Sequence, residues 1–189
     1  MASPHFINWV ERRGEQLRAK CGLTPFARLD PFLLAQKMEV HVIKPDDIVG
    51  VADDALEQIL VLDCGSWDAG TVLLPDGRHV VVMNPKRGRE RQHASLMEEL
   101  SHIHLEHAPT KLQAINGIYL REWRQTHETE AYWVGAAALV PRRVVKGAIT
   151  RRMTVEALAM QCGVSCPLIE FREKVLGLRL ARAPMPVAD

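Results

Sequence analysis

The segment SLMEELSHIHLEH, residues 95–107, holds most of the chemistry that the sequence offers. A helix turns about 100° per residue, so side chains four apart stand one above the other and can reach one ion. Glu98 and His102 have that spacing, and Glu99 flanks them on the same face. Two ligands four apart, with a carboxylate beside the first, suit metal-assisted hydrolysis: the ligands hold a divalent ion and the neighbouring glutamate acts as general base. The usual pattern is His-Glu-x-x-His, and here Glu98 stands where the first histidine would. Alone, Glu-Glu-x-x-His is a weak signal, because Glu and His at helical spacing occur on many solvated faces. A third ligand is needed, commonly a carboxylate on a following helix. Glu128 and Glu130 open the next helical stretch. The other histidines sit off this face. His104, two residues past His102, points nearly the opposite way, His107 is five past it, and His93 precedes the expected helix start. His104 and His107, three apart, could share an ion on another face, but they read far better as solvated surface residues.

The elements that must position these groups follow from periodicity and punctuation. Residues 5–21 read as a helix, and 29–38 as a second with Asp30 as N-cap and Pro31 in its first turn. Residues 39–45 form a short strand stopped by Pro45, and 53–60 a short helix. Two β-rich runs flank Pro75-Asp76-Gly77, a hairpin signal, and HVVVMN (79–84) is the strongest strand of the chain. GRERQ (88–92) reads as a basic loop, with Ser95 capping the helix of the opening motif. A less regular stretch, 109–125, leads to a strong helix at 126–140, capped by Thr126 and ended by Pro141. Beyond it, Thr154 caps one helix, Gly163 makes a turn, and a second helix starts near Ser165, which is a helix-turn-helix shape. The domain organisation expected is an N-terminal helix (1–27), a core (28–145), a helical segment packed on it (146–181) and a frayed tail (182–189).

Composition narrows the class. With 47% hydrophobic and 25% charged residues in 189, the chain can build a core and is not a disordered tail. A formal net charge of +1 gives no overall argument for nucleic acid or membrane, although 85–92 and 141–152 are locally basic. No leader-like apolar run opens the sequence, and no stretch approaches the ~18 apolar residues of a membrane span. Cys21, Cys64, Cys162 and Cys166 form no Cys-x-x-Cys, which suits a cytoplasmic protein with reduced thiols.

MEELSHIHLEH, followed about two dozen residues later by ETEAYWVGAAALVP, resembles the ImmA/IrrE-like metallopeptidases of bacteria and their mobile elements. LDPFLLAQKMEVHV is similar to that family's opening helix and strand. DGRHVVVMNPKRGRERQHASLMEELSH is similar to its strand, Arg-containing loop and active helix, and VEALAMQCGVSCPLIEFREKVLGL to its helix-turn-helix-like end. The likeness runs over about residues 28–178. The chain departs from the family pattern at Glu98, where His is usual, and at Tyr132 and Val134, where Asn or Asp and Phe are usual. Glu98 and Tyr132 occurring together resembles a coherent variant branch.

The resemblance implies an α+β, zincin-like (minimal gluzincin) core, a small antiparallel or mixed sheet packed on helices, with a helix-turn-helix-like C-terminal segment. It implies Glu98, His102 and Glu128 as metal ligands, with Glu130 the rival third ligand, and Glu99 as general base. Zn²⁺ is the implied ion, and the extra carboxylate opens the site to Mn²⁺ or Fe²⁺. An extended substrate is expected to pair with an edge strand, assigned to His79, Val80, Val81, Val82, Met83 and Asn84. Tyr119, Tyr132 and His127 are candidates for stabilising the oxyanion. The implied partner is a regulatory protein, a repressor or antitoxin, cut in the cytoplasm. Three functions compete: that peptidase; a non-catalytic protein acting through protein or DNA binding; and a toxin component active elsewhere. DNA binding is disfavoured, because CPLIEFREKV (166–175) is weakly basic and its apolar residues suit a core.

Overall fold

Where the punctuation is local, it determines the elements. Ser3 accepts a hydrogen bond from Phe6 N to open α1 (Pro4–Lys20), and Asp30 accepts one from Phe32 N to open α2 (Pro31–Lys37). The structure is a computed structural model that describes residues 2–24, 26–107, 111–115, 118–122 and 124–182, the segments 111–115 and 118–122 by their backbone. The chain divides into two compact units, residues 30–135, and residues 1–29 with 136–189.

The 30–135 unit carries a five-stranded mixed sheet in the order β1-β3-β2-β5-β4, formed by β1 (His41–Ile43), β2 (Ala69–Leu73), β3 (His79–Met83), β4 (Lys111–Ile115) and β5 (Ile118–Glu122). β1 runs parallel to β3, and the remaining pairs are antiparallel. The β2–β3 hairpin turns at Gly77, whose φ of 86° is open to glycine at no steric cost. The short helix expected at 53–60 is α3 (Asp53–Glu57), continued by a π-helical turn over Gln58–Leu62.

Three expectations are corrected. First, β3 is an interior strand: Val80, Val81 and Val82 pair with His41, Val42 and Ile43 on one side and with Val72, Thr71 and Gly70 on the other. His79–Asn84 therefore offers no free edge to a substrate; its alternation is legible locally, but its neighbours are not. Second, the less regular stretch 109–125 contains the antiparallel β4–β5 pair, with Asn116-Gly117, a strong hairpin dipeptide, between the strands in sequence. Third, α4 (Arg89–His104) starts before Ser95, which is buried within it, and takes in the supposed basic loop. Its buried face repeats at His93, Leu96, Met97 and Leu100. The first of these is a histidine, edge-on to Phe32 at 6.0 Å, which a pattern of apolar residues does not count.

α4 packs on β2 and β3, and α2 packs on α4. α5 (Gln125–Leu139) starts one residue before Thr126. It approaches α4 closely at Gly135, where a Cβ would lie 3.2 Å from the carbonyl carbon and oxygen of Met97.

The other unit contains α1, α6 (Arg142–Thr150), α7 (Val155–Cys162) and α8 (Cys166–Leu176). The sequence boundary drawn after residue 145 falls inside α6. Buried Arg18 donates to Ala138 O at 2.9 Å, and fully buried Arg172 donates to Val140 O at 2.9 Å, so two arginines satisfy carbonyls at the end of α5. Glu11 pairs with Arg172 and accepts from Arg142 N at 2.8 Å. Thr154 caps α7 through Ala157 N, and Gly163 (φ 67°) makes the turn to α8. Leu168, Ile169, Arg172, Glu173 and Val175 of α8 are buried. The expected tail lies outside the described residues from 183 onward.

Gly135→Val places two methyls against the Met97 peptide. Urea denaturation should show a loss of about 1–3 kcal/mol, whereas unchanged stability would mean that α4 and α5 have room to part.

Candidate metal centre

α4 presents Glu98 and His102 toward the start of α5. The His102 side chain is buried, and its Nε2 stands 3.6 Å from Oε1 of Glu128, in the first turn of α5. Glu98, Glu128 and Tyr132 line one open cavity of about 390 Å³ with Gln125, Thr129 and Trp133. Glu99 turns toward the sheet, where the buried Thr71 hydroxyl donates to its Oε2. The structure thus brings Glu98 and Glu128 to one cleft and sets buried His102 against Glu128, with Glu99 against β2. Among the described residues, no three His, Cys, Asp or Glu side chains already form a group that could hold a metal ion. Glu130 is engaged elsewhere: its Oε2 lies 3.1 Å from Nε2 of His107.

His107 is the residue that the sequence misplaces. It is buried rather than solvated, and its Nδ1 lies 3.0 Å from Nδ1 of His102. His127 stacks on it with ring centroids 4.3 Å apart and planes 11° from parallel. The helical wheel fails because α4 stops at a Leu105 C-cap. Glu106 takes a left-handed φ of 53°, its N–H donates to Ile103 O at 3.2 Å, and His107 N–H donates to His102 O at 3.1 Å. These paired bonds form a Schellman motif, and they fold His107 back over the helix it has just left. A glycine at position 106 would have signalled the turn; a glutamate does not.

The charges in the cleft are unbalanced. Burial, then Glu128 and Glu99, push the Glu98 carboxyl up to about 7, against the opposing pull of Arg91. Burial raises Glu128 as well. Burial also raises the Tyr132 phenol, helped by the Glu98 charge. Arg91 is itself paired with Asp68, which is held below the usual carboxylate range by that bond and by Arg87, whose Nε lies 2.7 Å away. Burial lowers His107, which favours the neutral ring.

A carboxyl raised on folding binds its proton more tightly in the folded chain. The stability it contributes is fully present below its unfolded value of 4.5 and is lost as pH rises through about 7. Glu98→Gln, which cannot ionise, removes that loss. In metal-free protein, the stability of the Gln variant relative to the parent chain should therefore rise between these two pH values, as read from melting temperatures across the range. A difference that stays flat would show that Glu98 is solvated.

Residues 52–174, well over half of the chain, match the Peptidase_M78 family, described as the IrrE N-terminal-like domain. No curated protein matches the chain. The matched span holds β2 to β5, α4 and α5, and so every group in the cleft. The family is one of zincin-like metallopeptidases, whose fold accounts for the mixed sheet with α4 packed on it. The sequence resemblance, the fold and the matched span agree, and the chain belongs to the IrrE N-terminal-like, ImmA/IrrE-type metallopeptidase family.

Proposed function

We propose that the chain is a metal-dependent peptidase that cuts a partner regulatory protein, a repressor or an antitoxin. The observation that carries this reading is the pair His102 Nε2 and Glu128 Oε1, 3.6 Å apart. That separation is too long for a good hydrogen bond. It is close to the ~3.3 Å between two donors that sit about 2.0–2.1 Å from one tetrahedral ion. Glu98, on the same cleft, repels Glu128 and Glu99, and a cation would relieve that repulsion. The donor chemistry therefore fits a divalent ion held by Glu98, His102 and Glu128, with Glu130 drawn away to His107.

An ion held there would supply Lewis acidity toward water and the scissile carbonyl. Glu99, oriented by Thr71, takes the proton of the attacking water and delivers it to the leaving nitrogen. Tyr132 lines the cleft, which supports it as the donor of a hydrogen bond to the developing oxyanion. His127 is stacked on His107 instead, and the Tyr119 side chain lies outside the described residues. Two carboxylates and one imidazole cancel a divalent charge, which weakens the Lewis acidity and moves preference from Zn²⁺ toward Mn²⁺ or Fe²⁺. Slow or regulated proteolysis follows. With β3 interior, an extended substrate pairs with β4, an outer strand of the sheet, whose pair with β5 lies between the two site helices in sequence.

A cytoplasmic setting is supported by the four cysteines, none of which forms a disulfide among the described residues. No helix among the described residues is long and apolar enough to cross a membrane. The alternative is a non-catalytic protein acting through protein or DNA binding. The packing of α8 speaks against DNA, because the residues a recognition helix would expose include buried Ile169, Arg172 and Glu173.

Protein prepared without chelators should contain about one divalent ion per chain by elemental analysis, or take one up in titration. Failure to take up any ion would overturn the reading. Glu98→His should raise Zn²⁺ affinity. Glu99→Gln should keep the ion while lowering proteolysis about 10²–10⁴-fold, and unchanged turnover would remove Glu99 from the mechanism.

A further inference from the structure

A metal-binding imidazole must present a bare nitrogen lone pair, so its single proton has to sit on the other nitrogen. Around His102 the donors and acceptors can be assigned in order. A carboxylate only accepts, so Glu130 Oε2 receives the proton of His107 Nε2, 3.1 Å away. That leaves His107 Nδ1 with a lone pair. His102 Nδ1, 3.0 Å from it, must then be the protonated nitrogen. We infer that His107, backed by Glu130, is a positioning residue that locks His102 in its Nδ1–H tautomer and turns the Nε2 lone pair toward Glu128.

The fold maintains this arrangement at a local cost. Glu106 holds a left-handed φ of 53°, a region that a residue with a Cβ rarely adopts, and the Schellman bonds of that turn fix His107 over His102. The stacked His127 ring covers the outer side of His107. The same left-handed, Schellman-bonded turn ends α2 at Glu39 and α6 at Arg152; what distinguishes the turn at Glu106 is that it delivers one buried ring to another. The consequence for metal binding rests on the peptidase reading. The tautomer itself does not.

The test uses the full chain, labelled with ¹⁵N-histidine and free of metal, at a pH where both rings are neutral. Long-range ¹H–¹⁵N spectra should show His102 protonated on Nδ1 and His107 on Nε2. A wild-type His102 protonated on Nε2 overturns the inference without any variant. In His107→Phe, His102 should lose its fixed tautomer and the Kd for Zn²⁺ should rise about 10–100-fold. His107→Gln supplies an amide oxygen as acceptor and should restore both the tautomer and most of the affinity. His107→Phe that remains folded by circular dichroism, with tautomer and affinity unchanged, refutes the positioning role. Wild-type protein with the expected tautomers but no uptake of Zn²⁺, Mn²⁺ or Fe²⁺ sinks the peptidase reading and leaves the relay standing.

Discussion

The site depends on how closely α5 approaches the backbone of α4. At Gly135 the missing side chain lets the Met97 peptide lie where a β-carbon would crowd it, at 3.2 Å. Glu98 is the next residue on α4. Tyr132 and Glu128 lie one and two turns back along α5 from Gly135, on the same side of the helix. One contact between backbones therefore fixes the width of the cleft that holds the carboxylates. A β-carbon at position 135 would push the Met97 peptide back by a few tenths of an ångström and a larger side chain further, in a cleft where catalytic geometry tolerates displacements of only about 1 Å.

The same closeness creates the electrostatic problem that defines the site. Bringing Glu98 and Glu128 together in a partly desolvated cleft, with Glu99 adjacent, disfavours the charged forms. Arg91 lies near enough to help but is tied to Asp68, which also holds Arg87. The net result is a pocket short of positive charge, unlike an ordinary surface ion-pair network, in which the charges nearly cancel. A structural role alone would be better served by one glutamine in place of Glu98.

What was legible in the sequence was what depends on neighbours in the chain. Asp30 and Pro31 announce α2, Pro75-Asp76-Gly77 announces a hairpin, and the four-residue spacing of Glu98 and His102 survives because α4 is an unbroken helix over both. The α+β class follows from the same signals. What was not legible depends on partners distant in sequence or on backbone exceptions. β3 reads as a strand, but its interior place comes from β1 docking in parallel beside it, more than 30 residues upstream. His93 is counted as polar, although it belongs to the buried face of α4. Asn116-Gly117 was an available hairpin signal, diluted by the mixed polarity of KLQAI and IYLRE. His107 escapes helical reasoning because the helix ends two residues earlier in an αL turn that Glu106 does not advertise.

The substitution at Glu98 and the histidine relay bear on one another. An imidazole ligand can be aimed through its second nitrogen, by whatever group that nitrogen bonds. A carboxylate can rotate and can bind through either oxygen, so it carries less directional information. In a site with two imidazoles, each can help fix the ion. With Glu98 in place of one of them, His102 is the single ligand of the proposed set whose direction can be locked. In the proposed relay His107 and Glu130 lock it, and the left-handed turn just beyond the helix holds His107 there. The exchange of His for Glu thus moves the burden of geometry onto one ring, and the extra histidine five residues along supplies what the altered ligand no longer can.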